Sequence, residues 1–360
     1  MALEATGEGP SEEEVDYPTA DVIKELLFTL PAIPRHLQRR LNDAHCHPTD
    51  HPDSLSEIDP TASGPLCAMS TRPNDQSLVD EFAKDNPGTV VPFFGYHPWF
   101  AYLFSIDDEA HHYQTILKPV PSEDFISHLP QPTSWDHTLS KLRKRLQDNP
   151  TAQVGEIGLD KSFRLPTHTN GERNIDARRD LSPYRTSQEH QLRIFTDQCK
   201  LAGEFGRIIS VHGVQAHGLV FTALQSLWKG HDKKSLDSTI TKGGQEDVVK
   251  FPRRVCIHSA SLSPEAVKQY LHPSIPSKIY FSFSTAINAR YGQKLLDLIS
   301  IVPDDRILVE SDWHSEGAIR RHQLHDIARI VIATKKWPME DGIEILARNF
   351  YQFVYGRPAS

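Results

Sequence analysis

The stretch NDAHCHPTD, residues 42–50, sets His45 and His47 one residue apart, with Asp43 two residues before them. On a strand that spacing puts both imidazoles on one face, as an edge that could grip a metal ion would need. The pair decides little alone, because 19 histidines in 360 residues should produce about one His-x-His by chance. What gives it weight is that other ionisable residues recur in comparable positions. Glu156, His212, His258 and Asp312 each lie in or at the end of a short β-rich run. If those ends converge, six groups from five strands share one cavity. Burying so many carboxylates and imidazoles together is costly unless a cation compensates. Mixed imidazole and carboxylate donors suit zinc, and manganese where carboxylates and waters contribute.

The elements that must position them can be read along the chain. Eight runs have strand character: LNDAHCH (41–47), GPLCAMST (64–71), TVVPFFGYHP (89–98), AQVGEIGLD (152–160), RIISVHG (207–213), RVCIHSA (254–260), KIYFSFSTA (278–286) and RILVESD (306–312). Several are continuously apolar, as expected of parallel strands covered on both faces. Helical patterns fill most gaps: 186–205, 263–272 with Ser263 as N-cap and Pro264 in the first turn, 289–301, and 318–337. Eight strands alternating with helices specify a (β/α)8 TIM barrel, whose C-terminal strand ends form one mouth. An open doubly wound sheet fits less well, because no glycine-rich phosphate loop follows the first strand.

The expected organisation is one barrel domain over 19–360, preceded by a disordered acidic tail over 1–18. Surface insertions are expected at about 101–150, 164–186 and 229–250. Within the first, Leu142 and Leu146 lie four apart on a basic helix and should turn it against the barrel. Cys46, Cys67, Cys199 and Cys256 show no CxxC spacing and read as reduced, buried thiols. The chain has no apolar run long enough to span a bilayer and no signal-like N-terminus, so a membrane partner is not expected and a cytoplasmic or nuclear location is. A net charge of −8 argues against a surface that coats nucleic acid broadly, though it permits a local basic site.

Four phrases, taken in order, carry a family resemblance: Asp43-Ala44-His45-Cys46-His47, Gly95-Tyr96-His97-Pro98, Gly155-Glu156-Ile157-Gly158-Leu159-Asp160 and Glu310-Ser311-Asp312. With His212 and His258 between them, the chain from about residue 41 onward resembles the TatD family of metal-dependent hydrolases. ARNFYQFVYG, near the C-terminus, resembles that family's last helix. The resemblance implies two divalent ions per subunit (zinc, manganese or magnesium). His45, His47 and Asp312 would hold one, His212 and His258 the other, and Glu156 would bridge them. It also implies hydrolysis of phosphodiester bonds in DNA or of another phosphoester, with Asp312 orienting the attacking water and taking its proton. Some fungal relatives with long insertions are named for an interaction with a subunit of the anaphase-promoting complex, which points to a possible protein partner at the insertions. A scaffold that keeps its metal site, and a hydrolase of amide or ester bonds, are the alternatives.

Asp43 is expected to stand behind the ligands, and Glu310 either to do the same or to complete a salt bridge inside the barrel. Arg72, Lys161 and Arg164 follow the second and fourth strands and, with His97 and His314, are candidates for contact with substrate phosphate. His111, His112, His322 and His325 read as surface residues. Three departures from the family's usual phrases surround the substrate position: His212-Gly213-Val214, His258-Ser259-Ala260-Ser261 and Trp313-His314 after Asp312.

Overall fold

The computed structural model describes residues 19–52, 55, 63–107, 110–167, 181–231, 250–314 and 318–357. The tail 1–18 and most of the expected insertions at 164–186 and 229–250 lie outside these residues.

All eight strand runs form one parallel sheet. We number them β1 (Asp43–Cys46), β2 (Leu66–Met69), β3 (Val90–Phe94), β4 (Gln153–Asp160), β5 (Ile209–Val214), β6 (Arg254–Ile257), β7 (Lys278–Phe283) and β8 (Ile307–Val309). They hydrogen-bond in that order, each to its sequence neighbour. Between β8 and β1 the closure is made just beyond the strands, where Asp312 N donates to His45 O (3.0 Å) and His47 N to Trp313 O (2.8 Å). The sheet is therefore a nearly closed barrel.

Two apolar layers follow from the strands' two faces. Ala44, Cys67, Met69, Phe93, Cys256 and Tyr280 fill the inside. Outside, the helices lie between the strands and solvent. The longer ones are α1 (Asp21–Thr29), α2 (Gln76–Asp85), α3 (Trp135–Asp148), α4 (Gln188–Glu204), α5 (His217–Trp228), α6 (Pro264–Tyr270), α7 (Gln293–Ile301), α8 (Ala318–Lys335) and α9 (Met339–Tyr355). Local chemistry sets several starts. Ser187 accepts from His190 N at the head of α4, and Ser263 accepts from Ala266 N ahead of Pro264 in α6. The last helix reaches into the barrel itself, adding Phe350, Phe353 and Val354 to the interior layer. All four cysteines are free and buried. Among the described residues no helix is long and apolar enough to cross a membrane.

The segment 101–150 departs from a surface insertion. Tyr102, Phe104, Tyr113, Leu117 and Trp135 are buried and join the main core. Trp135 packs against Phe104 with ring centroids 5.5 Å apart, and its indole N–H donates to Asp197 Oδ2 (3.2 Å). Leu142 and Leu146 are buried, as their spacing predicts. His112, read from the sequence as a surface residue, is buried, with Nε2 2.8 Å from Tyr102 O. Apolar residues scattered among many charges were enough to draw the segment, and His112 with it, under cover.

Candidate metal centre

Each strand end delivers its side chain to one mouth, and the means differ. Asp312 and Ser259, just beyond β8 and β6, have left-handed backbones (φ +50° and +39°). Such strain persists only where the surroundings impose it. The Asp312 N–H bond to His45 O imposes it on one side. On the other, Glu310 Oε1 accepts from both Ser259 N (2.7 Å) and Ser259 Oγ (2.8 Å).

Glycine makes the central strand possible. A Cβ on Gly158 would lie 2.0 Å from His212 O, so only glycine lets β4 approach β5 this closely. Gly158→Ala is expected to cost about 1–3 kcal/mol as an overpacked site and to displace His212. Thermal unfolding and metal content of the purified variant would check both effects. A variant with unchanged stability and metal content would show that the strands tolerate the extra carbon.

The side chains form two clusters around Glu156. On one side, His45 Nε2 and His47 Nε2 are 3.1 Å apart. Glu156 Oε2 lies 3.5 and 3.2 Å from them, and Asp312 Oδ1 3.7 and 3.5 Å. On the other, Glu156 Oε1 lies 2.9 Å from His212 Nδ1, 2.7 Å from His258 Nε2 and 3.3 Å from His97 Nε2. Four donors held tetrahedrally at bond lengths of about 2.0–2.1 Å would stand about 3.3–3.4 Å apart. The observed spacings bracket that value, so the donor set fits a small divalent ion on each side of Glu156.

Electrostatics agree with a site built for cations. Burial opposes ionisation of Glu156, yet the surrounding imidazoles of His97, His258 and His212 hold its carboxyl well below the usual range. Burial likewise opposes charge on His47, but its bonds to Asp312 and Glu156 outweigh this and raise it to about 10. His97 goes the other way. Burial takes it down to about 4 despite the attraction of Glu156, so it stands as a neutral donor near pH 7.

Groups behind the clusters fix ring orientation. His45 Nδ1 is 2.8 Å from Ser210 Oγ. His212 Nε2 is 3.2 Å from Asp160 Oδ2, which also accepts the Trp99 indole N–H (2.6 Å). A carboxylate behind a ligating imidazole sets its tautomer and raises its basicity. Asp43 faces away from the donors. Its Oδ1 accepts from Ser311 N (2.9 Å), and its Oδ2 accepts from Ser311 Oγ (2.6 Å) and Arg320 Nη1 (2.9 Å).

The six residues expected as ligands thus meet in one place, and His97, expected to touch substrate, joins their cluster. Arg72 does not line the cavity. Its guanidinium donates to Asp50 Oδ1 (2.7 Å), whose other oxygen is 2.8 Å from His314 Nδ1. His314 lines the mouth and stacks on His47, with centroids 5.1 Å apart. Lys161 and Arg164 lie outside the lining. The sequence reading gave no role to Asp160, Ser210 or Arg320. Asp160 was detectable, because its even spacing from Glu156 on β4 puts both carboxylates on one face.

Above the clusters opens a cavity of about 670 Å³. Trp99 and Phe100 line one part, and Arg290, Tyr291 and Lys294 another.

Comparison with known proteins agrees with this geometry. The family described as TatD related DNase matches residues 42–355. The chain is 37% identical over 330 residues to the Cut9-interacting protein scn1 of Schizosaccharomyces pombe, covering 87% of this chain and 98% of that one. It is 30% identical over 285 residues to an uncharacterized deoxyribonuclease of Saccharomyces cerevisiae, covering 76% and 83%. Among solved structures, a TatD homolog from Escherichia coli superposes with a TM-score of 0.57 at 17% identity, covering 89% of this chain and 99% of that one.

Proposed function

Since the chain belongs to the TatD-related DNase family, we propose that it is a divalent-metal-dependent hydrolase that cleaves phosphodiester bonds in DNA. The observation that carries this reading is Glu156, with one oxygen turned to each histidine cluster. His45, His47, Asp312 and Glu156 would hold one ion. His212, His258 and Glu156 would hold the other, with His97 as a further donor. Bound ions of this kind acidify water and offset charge that builds on phosphoryl oxygens.

The chain's own residues do the rest. Asp312 orients the attacking water and takes its proton through a carboxylate kept ionised, against burial, by His47, His258 and His45. Asp160 keeps the His212 ring turned so that Nδ1 faces Glu156. Ser210 does the same for His45. The Trp99 and Phe100 side of the cavity excludes water and offers a nucleobase an aromatic surface.

Protein stripped with chelator should lose hydrolysis of single-stranded DNA and recover it with zinc, manganese or magnesium. Metal affinity should fall as pH falls, because the same imidazoles then hold protons that a cation must displace. Metal analysis of the isolated protein, with a panel of DNA, a small phosphodiester, an ester and an amide, checks this. Activity indifferent to the chelator, or cleavage confined to the amide or ester, overturns the reading.

The name of the fission-yeast relative, Cut9-interacting protein, favours a second reading, in which the chain also engages a protein partner. Because 101–150 contributes to the core, its deletion would unfold the barrel, and exposed positions such as Lys141 and Lys144 are the better probes of that surface.

A further inference from the structure

Resting on the phosphodiester reading above, we propose that Arg290 and Lys294 form an anion subsite for a second phosphate of the substrate, next to the one cleaved. The charge layout of the cavity points there. Its lining acids, Glu156, Asp160 and Asp312, all belong to the buried floor, while Arg290 and Lys294 stand exposed on the wall. The chain as a whole carries −8, yet among the described residues neither cation has a carboxylate within ion-pair distance. Of the two arginines expected from the sequence to serve phosphate, Arg72 is taken up by Asp50 and Arg164 lies outside the cavity lining.

The segment that carries these cations is anchored to the metal centre. Asn288 is buried, and its Nδ2 donates to Ser259 O (3.2 Å) and Ala260 O (3.1 Å), directly after His258. Its Oδ1 accepts from Ser284 N (2.9 Å). Two residues on, Arg290 spends its Nε on Ile287 O (2.8 Å) and lies over the Tyr291 ring at 5.8 Å. Its terminal amino groups remain as a fork that suits two phosphate oxygens. Gly292 then turns the chain at φ +54° against α1, where a Cβ would come within 3.2 Å of Ala20 and Val22. The backbone that carries the cations is thus fixed relative to the floor. A diester with one phosphate fills the floor alone, whereas a strand with consecutive phosphates can reach the wall as well.

The test compares wild type with an Arg290→Ala/Lys294→Ala variant. Both positions are exposed, and circular dichroism confirms folding. With metal loaded, KM for a single-stranded oligodeoxynucleotide should rise at least about tenfold, the loss expected from removing charge-assisted hydrogen bonds. Hydrolysis of bis(p-nitrophenyl) phosphate, which has one phosphate, should not change. In chelator, where nothing is cleaved, binding of a labelled oligodeoxynucleotide across a salt series should lose about 0.7 in log–log slope per phosphate contact removed. Equal loss on both substrates, an unchanged salt slope, or no salt-dependent binding by wild type overturns the subsite. If wild type cleaves neither diester, the phosphodiester reading falls, and the binding arm still decides whether the wall takes an anion.

Discussion

Glu156→Gln should fold and yet lose both bound metal and hydrolysis. Its two oxygens serve opposite clusters, Oε2 beside His45 and His47 and Oε1 beside His212 and His258. The amide keeps the shape but turns one of those oxygens into an N–H donor, which no cation can use. Groups standing behind ligands typically cost about 10–100-fold in metal affinity or activity when removed, and a direct ligand shared by two ions, the role proposed for Glu156, should cost more. His45→Ala makes the useful contrast, because it strips one cluster and leaves His212, His258 and His97 in place. Metal content per chain should therefore fall further in Glu156→Gln than in His45→Ala. A Glu156→Gln protein with full metal content and wild-type turnover would end the bridging assignment. If the same inactive variant still captured a protein partner, the partner surface would lie apart from the chemistry.

The second large effect concerns stability. Arg320→Met should lower it by about 3–5 kcal/mol, the usual result of removing one member of a buried ion pair. Arg320 is 2% exposed and Asp43 is fully buried, and they meet at 2.9 Å. Among the described residues, the loss would leave the Asp43 carboxylate with only the Ser311 N–H and hydroxyl and the His45 N–H as donors. Those donors hold β1 to the end of β8, so the damage should spread to His45, His47 and Asp312. An Asp43→Asn/Arg320→Met double variant removes the stranded charge and should recover part of the loss. Denaturant unfolding of the two variants checks this, and a single variant within about 0.5 kcal/mol of wild type, the range of ordinary surface changes, would show that the pair does not hold the seam.

The fold and the gathering of the six candidate ligands were legible for one reason. In a parallel barrel the strand ends converge, so His45, His47, Glu156, His212, His258 and Asp312 could be placed together from their positions in apolar runs alone. What was lost depended on contacts between loops. Arg72 follows β2 as a free cation would, but Asp50, in the loop after β1, captures it. His97 lies three residues past the end of β3. The bond from its own N–H to Thr71 O (2.8 Å) draws it back over the floor. Arg290 and Lys294 sit in a stretch read only as helix, and nothing in that pattern says which face meets the mouth. In 101–150, the apolar residues show no regular spacing outside the basic helix, and the aromatic residues that tie the segment to the core are too widely spaced to form a period.

The last helix has a consequence for how the molecule is made. Phe350, Phe353 and Val354 share the barrel interior with Ala44, Cys67 and Met69, so the first strands and the last helix must meet before that space is dry. Contacts of such long sequence separation are slow to form, and during synthesis they must wait until the last helix has been translated. The nascent barrel therefore stays open underneath while its upper rim is already encoded, and chaperone dependence should concentrate in that interval.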